Sequence, residues 1–177
     1  MWNPVALFPT DNNGVVLDLP AVSGSGAANV QGSLYFGIGT EANNQLGSAV
    51  QFQLPLTAVV GDGTYPGGID TGTSYIGILD DTVFGFPTFG VFYCPSSPTP
   101  VGLEIIGANE ATYTGQVVAA DPTPELDEGL TADPTLVGPG FNGNTVVLGL
   151  PFFYGHKVFL SIAGQNASNG SAPYVAF

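Results

Sequence analysis

The residues best suited to chemistry are a carboxylate and two hydroxyls that fall within one short turn. Asp70 ends an apolar, strand-like segment and is followed by Thr71, Gly72 and Thr73, after which apolar residues return. A strand ending there would aim the carboxylate, and Gly72 would let the chain bend without a side chain in the way. We expect the Thr73 hydroxyl to hydrogen-bond beside the carboxylate and the Thr71 hydroxyl to tie the turn to neighbouring backbone. Such a carboxylate could act as a general base on water.

The Asp-Thr-Gly tripeptide alone is weak evidence for catalysis. Asp, Thr and Gly are common in turns for purely conformational reasons, and the chain contains 26 glycines. On the tripeptide alone, an ordinary turn is the preferred interpretation, so the longer context must decide.

The remaining reactive groups favour structural roles. Adjacent Asp80 and Asp81 are typical of a helix N-cap. The acidic cluster between Asp121 and Asp133 offers oxygen ligands for Ca²⁺, but it lacks the spacing of an EF-hand and is interrupted by prolines. Cys94 is the single cysteine, which excludes an intramolecular disulfide and favours a buried, inert thiol. We therefore expect no metal and no cofactor.

The charge of the chain excludes several classes of partner. Fourteen acidic residues face one lysine, Lys157, and one histidine, His156, which gives a net charge of −13. Binding to nucleic acid or to anionic membranes needs cations, so neither is expected. No apolar run reaches the roughly 20 residues of a membrane span, so no membrane insertion is expected. Mutual repulsion of the carboxylates would be relieved in mild acid, although the acidity could equally serve solubility alone.

The pattern of the chain predicts an all-β fold. Gly and Pro recur along the whole length, and between them lie short runs rich in Val, Ile, Phe, Tyr and Thr. Such runs are typical of short strands joined by tight turns. The predicted strands cover residues 14–19, 28–38, 50–60, 65–70, 75–79, 101–106, 111–118, 146–148, 157–162 and 174–177.

Helices are scarce in the prediction. One short helical turn is expected at residues 80–84, and another at 151–155, where Pro stands early and Gly late. Residues 121–140 hold five acidic residues and four prolines, which predicts a long surface excursion, either a loop or a flexible insert. No repeat or shift in composition divides the chain, so residues 1–177 are expected to form a single domain.

The longer context of Asp70 resembles the pepsin family of aspartic peptidases. Residues 69–74, Ile-Asp-Thr-Gly-Thr-Ser, match the second catalytic motif of that family. Val147-Leu148-Gly149 resembles the apolar-apolar-Gly segment that packs beside the catalytic turn, and residues 150–154 resemble the short helix after it. The resemblance implies a single lobe built as a closed or partly open barrel. It also implies Asp70 as the catalytic residue, with Thr71, Gly72, Thr73 and Gly149 supporting the turn.

Nearly the whole chain, apart from residues 95–140, also resembles the C-terminal half of a family of uncharacterised, exported bacterial proteins with pepsin-like motifs. The segments that carry this similarity are residues 12–15, 36–40 and 150–155. It implies a secreted or periplasmic location, with no signal peptide visible in this chain. Two departures stand out: the upstream lobe with its own Asp-Thr/Ser-Gly is absent, and Cys94 lacks the second cysteine that the relatives often carry.

One catalytic aspartate is insufficient for aspartic proteolysis, because that chemistry uses two carboxylates sharing one proton. The resemblance therefore implies an acid-pH endopeptidase acting on peptides or proteins as a homodimer or higher homo-oligomer, with Asp70 facing its symmetry mate. Half of a longer two-lobed protein is the other way to supply the second carboxylate. A third interpretation is an inactive secreted structural subunit, assembled into a filament or surface layer by strand exchange.

Overall fold

The computed structural model describes residues 3–78, 85–142, 144–165 and 172–177, and within them the chain is built almost entirely of β-strands. The all-β prediction is confirmed. The strands are β1 (Gly14–Asp18), β2 (Ser33–Phe36), β3 (Gln51–Gln53), β4 (Leu56–Val60), β5 (Gly63–Ile69), β6 (Ile76–Ile78), β7 (Thr88–Phe89), β8 (Phe92–Tyr93), β9 (Thr99–Ile106), β10 (Thr112–Ala119), β11 (Val137–Pro139), β12 (Val146–Leu148), β13 (Lys157–Ser161) and β14 (Tyr174–Ala176).

Helical structure in the described residues is limited to short pieces. Helix α1 (Thr123–Asp127) lies between β10 and β11, and helix α2 (Leu150–Phe153) follows β12 directly. Two 3₁₀ turns cover Pro4–Leu7 and Ala42–Asn44. None of these pieces is both long enough and apolar enough to span a membrane.

The larger sheet has seven strands in the order β10-β9-β4-β5-β12-β6-β11, and it curls into a half-barrel. The pairs β10-β9, β9-β4 and β4-β5 are antiparallel. The centre is different, because β12 runs parallel to β5 and antiparallel to β6, and β11 runs parallel to β6. Chain-distant β12 is thereby inserted between two strands that are consecutive in sequence, β5 and β6, and the connection between those two strands contains Asp70.

The smaller sheet has five strands in the order β2-β1-β13-β14-β3, with antiparallel pairing throughout. Both of its faces are covered. Val158 and Val175 pack into the main core that it shares with the larger sheet. Phe159 and Tyr174, which follow the opposite alternation, pack with Ile38 into a second, smaller cluster.

Most predicted strands lie where the pattern placed them, and two differ for identifiable reasons. The predicted strand at 50–60 is two strands in two sheets, because Pro55 has no N–H for a ladder and the chain crosses between the sheets there. The predicted strand at 28–38 is paired only over Ser33–Phe36. Its partner β1 ends at Asp18, which pairs with Ser33, and Gly37 leaves the extended region with a φ of +81°.

The prediction of a surface excursion at 121–140 is wrong for its second half. Asp133, Leu136 and Val137 are buried, and β11 forms the edge of the larger sheet beside β6. One oxygen of the buried carboxylate, Asp133 Oδ1, accepts hydrogen bonds from the Thr135 N–H and hydroxyl, both at 2.7 Å, whereas Oδ2 has no partner among the described residues. The segment is therefore part of the core rather than a flexible insert.

Three short strands, β7, β8 and β11, were not predicted, because two or three residues are too few to show an alternation. The helical turn predicted at 151–155 is confirmed as α2, which ends before Gly155, whose φ is +79°. The helical turn predicted at 80–84, including Asp80 and Asp81, lies outside the described residues.

Candidate functional site

The Asp70 turn is held by backbone hydrogen bonds to chain-distant segments. Asp70 follows β5, and its N–H donates to the carbonyl of Leu148 in β12 at 3.1 Å. The Thr73 carbonyl accepts from the N–H of Leu150 at 2.7 Å, and the Thr73 N–H donates to the Asp70 carbonyl at 3.3 Å. The turn is therefore anchored at both ends to the β12–α2 segment.

Both oxygens of the Asp70 carboxylate accept hydrogen bonds from within the turn. Oδ1 accepts from the Gly72 N–H at 2.9 Å, and Oδ2 accepts from the Thr73 hydroxyl at 2.7 Å. Donors favour the ionised form of a carboxyl group. The Thr73 hydroxyl, and then the Gly72 N–H, lower the pKa of Asp70 below its ordinary value of 3.8, against a small opposing contribution from burial.

Asp70 lies on the surface although its support is buried. Asp70, Thr71 and Gly72 are exposed, whereas Thr73 is only 9% exposed. Of the two hydroxyls singled out in the sequence, the structure places that of Thr73 on the carboxylate. The Thr71 hydroxyl makes no hydrogen bond to any described residue, so the predicted tie between Thr71 and neighbouring backbone is not present there.

Gly149 lies directly beneath the turn, where there is no space for a side chain. A Cβ built on Gly149 would overlap the carbonyl oxygen of Tyr75 and would lie 2.6 Å from the carbonyl oxygen of Thr73. The backbone of the β12–α2 junction thus touches the backbone of the turn. The Pro-rich segment supports the turn from the other side, because the Leu136 carbonyl accepts from the N–H of Ile76 at 2.9 Å.

An aromatic group extends from the turn. The ring of Tyr75 contacts Phe92 edge-on at 5.9 Å and stacks with Phe141 at 5.6 Å between centroids. Phe89 and Val91, at the tip of the β7–β8 hairpin, are more than half exposed. Exposed apolar side chains therefore lie close to the segment that follows Asp70 in the chain.

The aromatic residues between positions 84 and 93 divide between core and surface. For these rings the sequence favours packing in the core or under a loop over lining a substrate pocket, because aromatic side chains dominate core burial. Phe86 contacts Tyr93 edge-on at 5.9 Å, and Tyr93 is fully buried. Phe89 is exposed, and Phe92 lies against Tyr75. Phe84 lies outside the described residues.

Cys94 is half-buried, and both burial and the neighbouring carboxylate of Asp121 raise its pKa. A thiol with a raised pKa is a poor nucleophile, which agrees with an inert role. Among the described residues, no three His, Cys, Asp or Glu side chains are grouped as metal ligands. In this part of the chain, therefore, no three side chains of the acidic cluster at 121–133 come together as a metal site.

One feature of the molecule has no signal in the sequence. A cavity of about 680 Å³ lies apart from the Asp70–Ser74 turn, and its walls come from several separate stretches of chain. Its principal side chains are Tyr113, Gln116, Glu125, Phe152, Tyr154 and His156. The adjacent His156 and Lys157 are predicted from the sequence to form a surface pair, but the His156 ring stacks on Phe152 at 4.9 Å between centroids. Only the tertiary fold brings these residues together.

Chemically, the Asp70 turn offers one ionised, oriented and solvent-accessible carboxylate. It can accept a proton or hold a water molecule by hydrogen bonding. It cannot by itself be acid and base in the same step, because both oxygens belong to one titrating group.

The comparisons with known proteins give one match. The model of a family described as "Protein of unknown function (DUF3443)" matches residues 1–177. No curated protein and no solved structure matches the chain.

The contact at Gly149 predicts a large effect of a small substitution. Gly149→Ala forces a methyl group against two backbone carbonyls, so we expect a loss of about 1–3 kcal/mol in the free energy of unfolding, as for other overpacked sites. The matched control is Gly68→Ala in β5, where a Cβ has open space; its effect should stay within about 0.5 kcal/mol. Urea unfolding monitored by circular dichroism measures both, and equal stabilities of the two variants would contradict the packing described.

The Thr73 hydroxyl predicts a measurable pKa effect. Thr73→Val removes the largest cause of the lowered pKa of Asp70, so that pKa should rise toward its ordinary value. A lowered folded-state pKa stabilises the fold above the unfolded-state pKa, and this stabilisation is lost as pH falls through the folded-state pKa. The variant should therefore lose more stability at pH 7 than at pH 2. The control is Thr71→Val, and ¹³C NMR titration of the side-chain carboxyl is the measurement. An unchanged Asp70 pKa in Thr73→Val would count against the hydrogen bond.

Proposed function

Because the chain belongs to the DUF3443 family, whose description assigns no activity, we propose its function from the site itself: an aspartic endopeptidase that works at acid pH as a homodimer. Two Asp70 carboxylates, one from each copy, would activate a water molecule for hydrolysis of a peptide bond. The substrate would be a peptide or an unfolded protein. Neither a metal nor a cofactor enters this chemistry.

One observation carries the proposal: the Asp70 carboxylate is exposed, yet both of its oxygens are fixed by donors of a turn whose backbone rests on Gly149. An exposed Asp in an ordinary surface turn needs neither a buried hydroxyl as hydrogen-bond partner nor a glycine packed beneath the turn. Catalysis needs both, since a reacting group must be held close to its productive geometry. The position of Asp70 between β5 and β6, next to the inserted β12, supports the same conclusion.

The second copy supplies what a single turn lacks. Two carboxylates brought within about 3 Å cannot both ionise, so one keeps a proton while the other stays charged, as in the paired aspartates of known aspartic proteases. The charged carboxylate would take a proton from water as the water attacks the peptide carbonyl, and the protonated one would donate to the carbonyl oxygen. The donors on Asp70 favour the charged form, and the second carboxylate opposes it.

The chain itself offers features that suit a peptide substrate and an acidic setting. The exposed apolar side chains of Phe89, Val91 and Phe141 border the segment that follows the turn. A net charge of −13 with a single lysine disfavours close approach of two copies at neutral pH, and protonation in acid relieves that repulsion. We therefore place the activity in an acidic compartment outside the cytoplasm.

Activity is tested with a denatured protein substrate. We expect cleavage at about pH 3–5, inhibition by pepstatin, and a loss of at least about 100-fold in rate for Asp70→Asn, since one shared proton and one charged carboxylate are then no longer available. Activity should fall toward pH 7 as both carboxylates ionise. The matched control is Asp62→Asn, an exposed carboxylate in the turn between β4 and β5. Full activity of Asp70→Asn would exclude the proposed role.

The homodimer is tested by its mass and by mixing wild type with the Asp70→Asn variant. Sedimentation at pH 4 should give about twice the 18.1 kDa mass of the chain. If each active site needs two Asp70 residues, mixed dimers are inactive. Addition of an equal amount of Asp70→Asn to wild type should then reduce the wild-type activity to about half, because random pairing leaves about half of the original number of wild-type dimers. An active monomer predicts no reduction. A monomer mass together with undiminished activity contradicts the homodimer.

A structural subunit is the second candidate, and it has its own supporting observation. Strand β2 is the edge of the five-stranded sheet, and its side chains Leu34 and Phe36 are 55% and 43% exposed. Exposed apolar edge strands favour pairing between chains. A subunit of this kind predicts large assemblies in sedimentation, and the assembly should not depend on Asp70→Asn.

A further inference from the structure

Strand β10 forms one edge of the seven-stranded sheet, and it is unusually open for an edge strand. Among the described residues it pairs only with β9, residue for residue from Thr112 to Ala119, without a bulge. Proteins usually protect such edges with short strands, prolines, charged side chains or bulges. β10 is eight residues long and contains no proline and no charged residue, whereas the edge strands β2, β3 and β11 have four, three and three residues. The edge of β10 is therefore suited to accept a further strand.

The pairing register shows which backbone groups of β10 point away from β9. In an antiparallel pair, opposite residues alternate between those that exchange backbone hydrogen bonds and those that do not. Gly107, directly beyond the end of β9, donates its N–H to the Ala111 carbonyl at 2.9 Å and so marks a bonded position. Counting along the register from there gives the four residues of β10 whose backbone groups face outward: Thr112, Thr114, Gln116 and Val118. Val118 lies opposite Pro100, which has no N–H to donate, in agreement with this count.

The outward-facing N–H and carbonyl groups of these four residues have no hydrogen-bond partner in the described part of the chain. A row of donors and acceptors that repeats every second residue is complementary to another extended backbone, which is how peptides bind to open sheet edges. The chemistry of this edge therefore favours an extended polypeptide as the ligand.

The cavity of about 680 Å³ lies along this open edge. Gln116 and Val118, two of the outward-facing residues, line it, and so does Ala120, which continues the same spacing beyond the end of the strand. The curl of the sheet brings β10 close to β11, the strand at the opposite end, and Thr135, two residues before β11, also lines the cavity. The cavity thus lies at the seam where the half-barrel stays open.

An apolar side chain of an added strand has a place in this cavity. Tyr113, whose side chain packs against the main core, contacts Phe152 edge-on at 6.2 Å, and Phe152 stacks on His156 at 4.9 Å. All three rings line the cavity, together with Leu103. The side chains of a strand alternate between two faces of the sheet. Every second side chain of an added strand would therefore face these rings, and the others would face outward beside Gln116.

The walls beside the edge favour a single strand over the edge of another sheet. Residues within 96–98 and 151–156 and helix α1 line the same cavity as Gln116 and Val118, so this edge borders a confined space. A second copy would have to bring the neighbours of its own edge strand into that space, whereas a flexible peptide brings only its own side chains. The occupant is therefore a free, extended segment of polypeptide.

We propose that β10 binds an extended peptide as an additional, antiparallel strand of the larger sheet, with alternate apolar side chains of the peptide in the cavity at Tyr113 and Phe152. The neighbouring pairs β10-β9, β9-β4 and β4-β5 are all antiparallel, and antiparallel pairing is the more stable arrangement per residue. The site lies apart from the Asp70 turn, and it stands whether or not the peptidase activity does.

The probe is a fluorescein-labelled peptide of eight residues, in which three threonines and three valines alternate between two terminal lysines. Its binding to the full chain is measured by fluorescence anisotropy at pH 7.5, where the proposed peptidase activity is low. The valines should take the face of Tyr113, because they are apolar. In an antiparallel pair, bonded residues carry their side chains on the same face, so the threonines are the residues that bond to Gln116 and Val118.

Methylation of peptide nitrogens tests this geometry, because it removes backbone donors. Methylation of the three threonine nitrogens should weaken binding at least about tenfold, whereas methylation of the three valine nitrogens, which point away from β10, should change it less than about twofold. The two modified peptides are isomers of equal charge, so the net charge of −13 on the chain affects them alike. Equal affinities of the two modified peptides, or no saturable binding of the parent, would overturn the proposal.

Substitution of Val118 assigns the binding to the edge of β10. Val118→Pro removes an outward-facing N–H and places a ring there, so peptide binding should weaken at least about fivefold. The ladder to β9 loses no hydrogen bond, because Val118 lies opposite Pro100 at a non-bonded position. The matched control is Val118→Thr, which keeps the N–H and a similar shape and should change peptide binding less than about twofold.

Hydrogen exchange measured by NMR locates the bound strand without any variant. In the free chain, the amides of Gln116 and Val118 should exchange faster than those of Val117 and Ala119, which face β9. Saturating peptide should slow exchange at Gln116 and Val118 at least about tenfold. If Val118→Pro does not fold, this measurement decides, and unchanged exchange at both amides with bound peptide would place the peptide elsewhere and overturn the proposal.

Discussion

The close approach of the Gly149 backbone to the 70–75 turn is the contact on which the site depends. It exists because β12 is inserted between β5 and β6, so that the β12–α2 junction passes directly below the turn. The hydrogen bonds from Asp70 N–H to Leu148 and from Leu150 N–H to Thr73 then close the turn onto that junction. Backbone contacts of this kind do not depend on rotamers, so they fix the backbone position of Asp70, and the Gly72 N–H and the Thr73 hydroxyl then orient its carboxylate.

The electrostatics of the site follow from a chain that has almost no cations. A carboxylate that needs support cannot readily find a salt bridge here, and Asp70 is stabilised by the Thr73 hydroxyl and the Gly72 N–H, both neutral donors. Asp133 likewise has neutral donors, since its Oδ1 accepts from the Thr135 N–H and hydroxyl. Neutral donors lower a carboxyl pKa without fixing a counter-charge beside it. The Asp70 carboxylate therefore remains open to a proton shared with a second carboxylate, which a lysine or arginine beside it would prevent.

Local features of the sequence predicted local structure well, whereas pairings between distant segments were missed. The strand before Asp70, the hydroxyl of Thr73 beside the carboxylate and the helix after Gly149 all follow from short motifs. The role of Gly149 came only through resemblance to a known family, because nothing in its sequence neighbours indicates the carbonyls of Thr73 and Tyr75. The burial of 133–138 was missed because acids and prolines indicate surface, whereas β11 pairs with β6 and Thr135 donates two hydrogen bonds to Asp133 Oδ1. The cavity was also missed, because its walls come from separate stretches of chain that meet only after folding.

The turn and the cavity share a structural border without sharing chemistry. Ile76 and Thr135 line the cavity, and the Leu136 carbonyl accepts from the Ile76 N–H, one residue beyond Tyr75. A ligand in the cavity would therefore contact a residue of the strand that follows the Asp70 turn. Proximity alone does not couple two sites; coupling requires an element with two arrangements that both ligands bias. The β6–β11 pair, which lies between the turn and the cavity, is instead buried and hydrogen-bonded, and it shows a single arrangement. On these physical grounds we expect occupation of the cavity to leave the Asp70 turn unchanged.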